Sequence, residues 1–260
     1  MDNYDVECAL EICDVCKHFG GIIATDHINI MARSNTIFGI IGPNGAGKTT
    51  LFNLITGIYK PTSGDILLYG KSLVGKLPYE IACEGVARTF QNIRLFNDLT
   101  VYENLHIAYQ KSITYTIFDG ILKTKKCKEQ EAKCAEISEQ MLKSVGLWEL
   151  KDQLARNLPY GLQRKLEIAR ALITNPKVML LDEPAAGMNE EESEQLSGII
   201  KDIRNNNDIT IIVIDHHMDV IMDVCDEITV INFGKQLVTG SPYDIQNNSE
   251  VIDAYLGVGD

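Results

Sequence analysis

The octapeptide Gly42-Pro43-Asn44-Gly45-Ala46-Gly47-Lys48-Thr49 constrains this chain more than any other stretch. It fits G-x-x-x-x-G-K-[ST]. It follows the short apolar run TIFGII (36–41), which predicts a strand, and it leads into LFNLITG (51–57). That second segment reads as a helix with Leu51, Leu54 and Ile55 on one face. Strand, glycine turn and helix are the context in which this pattern binds phosphate. Glycines let the backbone curl round an anion so that successive N–H groups point at it. The helix amino-terminus adds the positive end of its dipole. Lys48 supplies a full charge to the β- and γ-phosphates, and the Thr49 hydroxyl is a hard oxygen for Mg²⁺. Gly42, Pro43, Asn44, Gly45, Ala46, Gly47, Lys48, Thr49 and the adjoining Thr50 are therefore the expected nucleotide-binding residues.

A second stretch completes the chemistry. VMLLDE (178–183) is an apolar strand ending in two carboxylates. It would deliver Asp182 to the carboxyl end of a sheet, where α/β proteins bind ligands. One carboxylate can complete the Mg²⁺ shell, and Glu183 sits where a general base could activate water.

Around these motifs the organisation is that of an α/β chain. ALEICDVC (9–16) and DILLY (65–69) read as strands, as do ITIIVID (209–215), EITVIN (227–232) and 236–239. Segments 162–174, 190–204 and 218–225 read as helices, the first with Arg164, Lys165 and Glu167 outward. Continuous apolar strands alternating with helices predict a mainly parallel sheet covered on both faces. From about Asn92 to Pro159 the texture turns helical. Thr100 and Glu103 form a capping box, 121–145 reads as one long exposed helix, and a shorter helix follows Gly146. The expected division is 1–91 plus 160–260 as the α/β core and 92–159 as a helical insert.

Of 260 residues, 24 are Lys or Arg and 36 are Asp or Glu, a net charge of −12. The excess lies from Asp182 to the end, with 17 acids against 3 bases. That balance argues against nucleic acid as a general partner and disfavours direct docking on anionic lipid. The basic run Lys123, Lys125, Lys126, Lys128 is the local exception, a solvated face or a docking site. No apolar run approaches a membrane span. The acidic opening, MDNYDVECALEICD, is unlike a secretory signal. Seven irregularly spaced cysteines then read as free thiols in a reducing cytoplasm. Cys13 and Cys16 form a C-x-x-C within a strand, with no second pair at zinc-site spacing.

Further motifs carry a family resemblance over essentially the whole chain. Phe90-Gln91, Leu158-Pro159-Tyr160-Gly161-Leu162-Gln163-Arg164 and Ile214-Asp215-His216-His217-Met218 fall where ATPase subunits of ABC transporters have their Q-loop, signature and switch histidine. The sequence resembles that family. Within it, ARTFQNIRLF, YG-x-QR-x-LEIARAL and DEPAAGMN are similar to the importer ATPases for branched-chain amino acids, the LivG type.

The resemblance implies a P-loop NTPase (RecA-like) core with a mainly parallel sheet, an antiparallel β part at the amino-terminal side and an inserted helical subdomain. It implies ATP and Mg²⁺ as ligands and catalytic roles for Glu183, Gln91 and His216. Thr49, Gln91 and Asp182 would hold the metal. Phe19 would stack on adenine, while Tyr160 and Gly161 would meet nucleotide from a second subunit. His217 is expected to face solvent.

The implied machine is a head-to-tail pair of ATPase subunits, identical or not, attached to transmembrane permease subunits at the cytoplasmic face of the membrane. It is served indirectly by a periplasmic or extracellular binding protein. Arg94, Leu95 and Phe96 are candidate permease contacts, with a core role equally open for Leu95. The chain departs from the family where Pro159, Tyr160 and Leu162 replace the signature Ser, Gly and Gln, and where Asn189 replaces an acid. Other cargoes (lipid, lipopolysaccharide or urea), a non-transport ATPase and a nucleotide-gated regulatory module are the alternatives.

Overall fold

In the computed structural model, which describes residues 7–110 and 114–256, apolar runs with no polar alternation become strands buried on both faces. Residues 1–6, the start of the acidic opening MDNYDVECALEICD, lie outside the described residues. The chain runs β1 (Cys8–Phe19), β2 (Ile22–Arg33), β3 (Ile37–Ile41), α1 (Lys48–Ile55), β4 (Ser63–Leu68), β5 (Lys71–Ser72), α2 (Pro78–Glu84) and β6 (Val86–Arg88). Helices α3 (Val101–Tyr109), α4 (Ile117–Leu122), α5 (Lys125–Ser144) and α6 (Tyr160–Leu172) follow. Then come β7 (Val178–Asp182), α7 (Glu190–Asn206), β8 (Thr210–Ile214), α8 (Met218–Val224), β9 (Glu227–Asn232), β10 (Lys235–Gly240), α9 (Pro242–Gln246) and α10 (Ser249–Leu256).

These elements form two units, Met1–Gln91 with Lys177–Asp260, and Asn92–Pro176. The first holds two sheets. One is antiparallel, in the order β2-β1-β4-β5; the other has the order β10-β9-β3-β8-β7-β6 and is parallel except where β10 pairs β9. Every residue of β3, β7 and β8 is buried, as a parallel strand covered on both faces requires. Leu51, Phe52 and Ile55 of α1 join Phe38, Leu180 and Ile212 of those strands in one apolar core. In register, Ile40 lies beside Ile214, Ile214 beside Asp182, and Leu180 beside Arg88, so the chemistry-bearing loops leave one end of the sheet. The C-x-x-C straddles a bulge of β1, with Asp14 at φ +53°; both cysteines are free thiols.

The helical unit has its own core, in which Val101, Leu105 and Leu142 meet Leu166, Ala169 and Ile173. Helix α6 contributes Leu166 and Ala169 to that cluster, and the compact unit that holds it spans Asn92–Pro176. The capping box forms: the Glu103 N–H donates to Thr100 Oγ1 at 3.1 Å and the Thr100 N–H donates to Glu103 Oε2 at 2.8 Å.

Two expectations for this unit are corrected. The long helix does not begin at 121, because Lys123 adopts φ +47° and ends α4, and Thr124 then caps α5. Arg164 and Glu167 do not face outward. Their side chains are 0% and 3% exposed and pair at 2.7 Å, Arg164 Nη1 to Glu167 Oε2. Opposite charges three residues apart on one helix face satisfy each other, which a reading by polarity alone misplaces. Among the described residues, no helix is long and apolar enough to cross a membrane.

Candidate functional site

The phosphate loop is built where β3 ends and α1 begins. Gly42 has φ +152°, and a Cβ there would lie 1.9 Å from the Ile231 carbonyl oxygen. Gly47 has φ +106°, and its Cβ would lie 2.4 Å from the oxygen of Ala24. Only glycine fits either place. Gly47 is also the residue before α1 and has no side chain to cap it, so the first N–H groups of the helix remain for a ligand.

Lys48 is 7% exposed and donates to the carbonyl oxygens of Gly42 (2.5 Å) and Pro43 (2.8 Å). Burial pulls its ammonium below the usual lysine pKa; Glu183 and Asp182 partly oppose that. An ammonium has three N–H groups, and two are committed to the loop itself. The cleft in front, of about 250 Å³, is lined by residues 44–50, by Ile22, Ile23 and Ala24, and by Glu183. Phe19 is not among its lining residues. Its ring meets Tyr59 edge-on with centroids 5.1 Å apart, and the Lys17 ammonium lies 4.9 Å from its centre. Ile22 and Ile23 are exposed apolar residues just after Gly20-Gly21, a signal the sequence reading did not use.

Beside the loop, β6, β7 and β8 bring three groups together. Glu183 stands at φ +45°, a left-handed conformation that is strained for a side chain of this size, and its N–H donates to the Ile214 oxygen at 2.7 Å. Gln91 Nε2 donates to Glu183 Oε2 at 2.7 Å, and His216 Nδ1 lies 3.6 Å from the same oxygen. His217 does not simply face solvent: its Nδ1 bonds Asp215 Oδ1 at 2.7 Å, because a fully buried carboxylate needs partners.

Arg88 escaped the sequence reading. Its Nη2 donates to the buried Asp182 Oδ2 at 2.7 Å and its Nη1 to Asn53 Oδ1 at 2.8 Å, while its guanidinium lies 5.4 Å and 4.9 Å from the rings of Phe52 and Phe90. A lone Arg closing a short strand was the available clue. Arg88→Met should lower unfolding stability by about 3–5 kcal/mol by stranding a buried carboxylate. Adding Asp182→Asn should recover much of the loss, and urea titration of the single and double variants checks both.

Thr49, Gln91 and Asp182 together offer a hydroxyl, an amide and a carboxylate. All are hard oxygen donors, and none is a soft sulfur ligand. That donor set fits Mg²⁺.

In the helical unit, Pro159 caps α6 with φ −52° and ψ 151°, followed by half-exposed Tyr160 and buried Gly161. Gln163 turns back on the helix start, its Nε2 donating to the Leu158 oxygen at 2.8 Å. Leu95 packs into this unit's core, while Phe96 is exposed beneath the Arg170 guanidinium, 5.4 Å from its ring. Asn189, in the first unit, caps α7: its Oδ1 accepts from the Glu192 N–H at 2.9 Å and the Asn189 N–H donates to Glu192 Oε2 at 3.1 Å. The amide makes this cap, as an acid at the same position also could.

Comparison with known proteins agrees with this architecture. Residues 25–186 match the family model described as ABC transporter. The high-affinity branched-chain amino acid transport ATP-binding protein LivG of Escherichia coli K12 is 43% identical over 248 residues, covering 95% of this chain and 97% of that one. The corresponding protein BraF of Pseudomonas aeruginosa is 41% identical over the same length, with the same coverage. Among solved structures, the ADP conformation of an ATP-binding cassette of an ABC transporter superposes with a TM-score of 0.83 at 28% identity, over 96% of this chain and 99% of that one.

Proposed function

The chain belongs to the ABC transporter family as an ATP-hydrolysing subunit of the LivG type, and on that premise we propose that it powers uptake of branched-chain amino acids. The observation that carries the mechanism is the convergence of Gln91, Glu183 and His216 at one edge of the phosphate-loop cleft. The loop residues Gly42 to Thr50 hold the triphosphate, with Lys48 on the β- and γ-phosphates. Glu183 takes the proton of the attacking water. Gln91 orients the Glu183 carboxylate through its amide, and His216 contacts the γ-phosphate. Thr49, Asp182 and Gln91 would hold Mg²⁺, which when bound would neutralise charge on the phosphates. Until then Arg88 keeps Asp182 paired and in place. Phe19 and Tyr59, with Ile22, offer the apolar surface a purine needs.

A second ATPase subunit, identical or related, closes the site head-to-tail. The start of its α6, with Tyr160 and Gly161, approaches the nucleotide. Pro159 lacks the hydroxyl and N–H of a serine there, so this closure relies on backbone and the Tyr160 ring. Closure drives the permease subunits at the cytoplasmic face of the membrane, and Arg94 and Phe96 are candidate contacts. A binding protein outside delivers the amino acid. The experiment is to co-purify the chain with its permease, reconstitute it in vesicles and measure ATPase with binding protein and leucine, isoleucine or valine. Stimulation of about tenfold or more is expected. Turnover indifferent to these amino acids but responsive to another solute would reject the cargo assignment and leave the ATPase intact.

A further inference from the structure

The second unit carries a feature that ATP chemistry does not use. On α4, Phe118, Ile121 and Leu122 are 75%, 73% and 74% exposed. Their spacing of three and four residues puts them on one face of the helix. Single exposed apolar residues are ordinary; three on one short helix mark a contact. Immediately after them, Lys123, Lys125, Lys126 and Lys128 are all exposed; Lys125 lies 3.7 Å from the exposed Glu129 carboxylate and Lys126 donates to the Thr114 oxygen at 3.0 Å, surface contacts that a lipid phosphate can replace. The one acid of the helix, Asp119, is occupied by capping: its carboxylate accepts from the N–H and hydroxyl of Thr116 and from the hydroxyl of Thr124.

We propose that this segment, 117–128, docks on an anionic phospholipid surface, the apolar trio entering the headgroup layer and the four lysines facing lipid phosphates. Apolar residues bordered by lysines are the composition of interfacial membrane contacts, in which hydrophobic insertion and attraction to anionic lipid reinforce each other. Charge sign selects this occupant. Residues 92–176 carry 13 Lys and Arg against 10 Asp and Glu, while the rest of the chain carries 11 against 26. Charges more than a Debye length away, about 8 Å at physiological salt, are screened, so the segment's own charges weigh most in what it meets. Permease attachment would bring the chain to the same bilayer, but the contact needs neither permease nor ATP, so its failure would leave the proposed transport role standing.

The test is co-sedimentation of the purified chain with phosphatidylcholine vesicles, with and without phosphatidylglycerol. Binding is expected only with the anionic lipid and should weaken steeply with salt. Replacing Lys123, Lys125, Lys126 and Lys128 by Gln should weaken it at least about tenfold, since each lysine near such a surface contributes measurably. The Phe118→Ser, Ile121→Ser, Leu122→Ser variant should do the same. All seven side chains are exposed, so unchanged thermal midpoints are expected, and a variant with a shifted midpoint is replaced by single substitutions in the same set. Equal sedimentation with both vesicle types, no effect of either substitution set, or binding only to vesicles containing the permease would each overturn the proposal.

Discussion

Glu183→Gln is expected to reduce steady-state ATP turnover by about 10²–10⁴-fold, the usual contribution of a positioned general base, while ATP still binds. The variant keeps the size and hydrogen-bonding shape of the side chain and removes only its basicity. Gln91 can still bond the new amide oxygen, and the φ of +45° at position 183 is asked of Gln as it was of Glu. With hydrolysis blocked, the closed pair should accumulate, visible as an ATP-dependent dimer in size-exclusion chromatography. Turnover equal to the parent would remove Glu183 from the role of base.

Lys48→Ala should weaken ATP binding by roughly 10²- to 10³-fold, because hydrogen bonds to charged groups each contribute about 1.5–3 kcal/mol. The ammonium is already oriented by the Gly42 and Pro43 carbonyls and lies almost wholly out of solvent, so its charge is little screened at the loop. Two effects on folding oppose each other: those carbonyls lose a donor, and a desolvated charge is relieved. The variant should therefore remain folded, and calorimetric titration with ATP separates lost binding from lost structure. Lys48→Arg should not rescue, since a planar fork cannot reproduce a compact ammonium between two loop carbonyls. Unchanged affinity in Lys48→Ala would show that phosphate binds elsewhere.

How far the structure was legible in advance follows from which interactions are local. The phosphate loop, β3, β7 and β8 were readable because a glycine turn and an unbroken apolar run each have one physical meaning. The Thr100 capping box was readable because its partners are three residues apart. Arg88 was not, since its meaning lies in Asp182, 94 residues away in sequence. The burial of Arg164 and Glu167 is hidden from a reading by polarity, because it rests on their mutual neutralisation. The break between α4 and α5 at Lys123 needed a left-handed residue that no glycine announced. The pairing of Phe19 with Tyr59 likewise depends on a contact 40 residues apart, which no local pattern encodes.

The central claim is that a triphosphate nests in the loop from Gly42 to Thr50 with Glu183 facing its terminal phosphate. A crystal structure of the Glu183→Gln variant grown with ATP and Mg²⁺ addresses it directly. The expected result is γ-phosphate within hydrogen-bonding reach of Lys48, with metal among the oxygens of Thr49, Gln91 and Asp182. Phosphates bound at any other surface, with the loop empty, would contradict it.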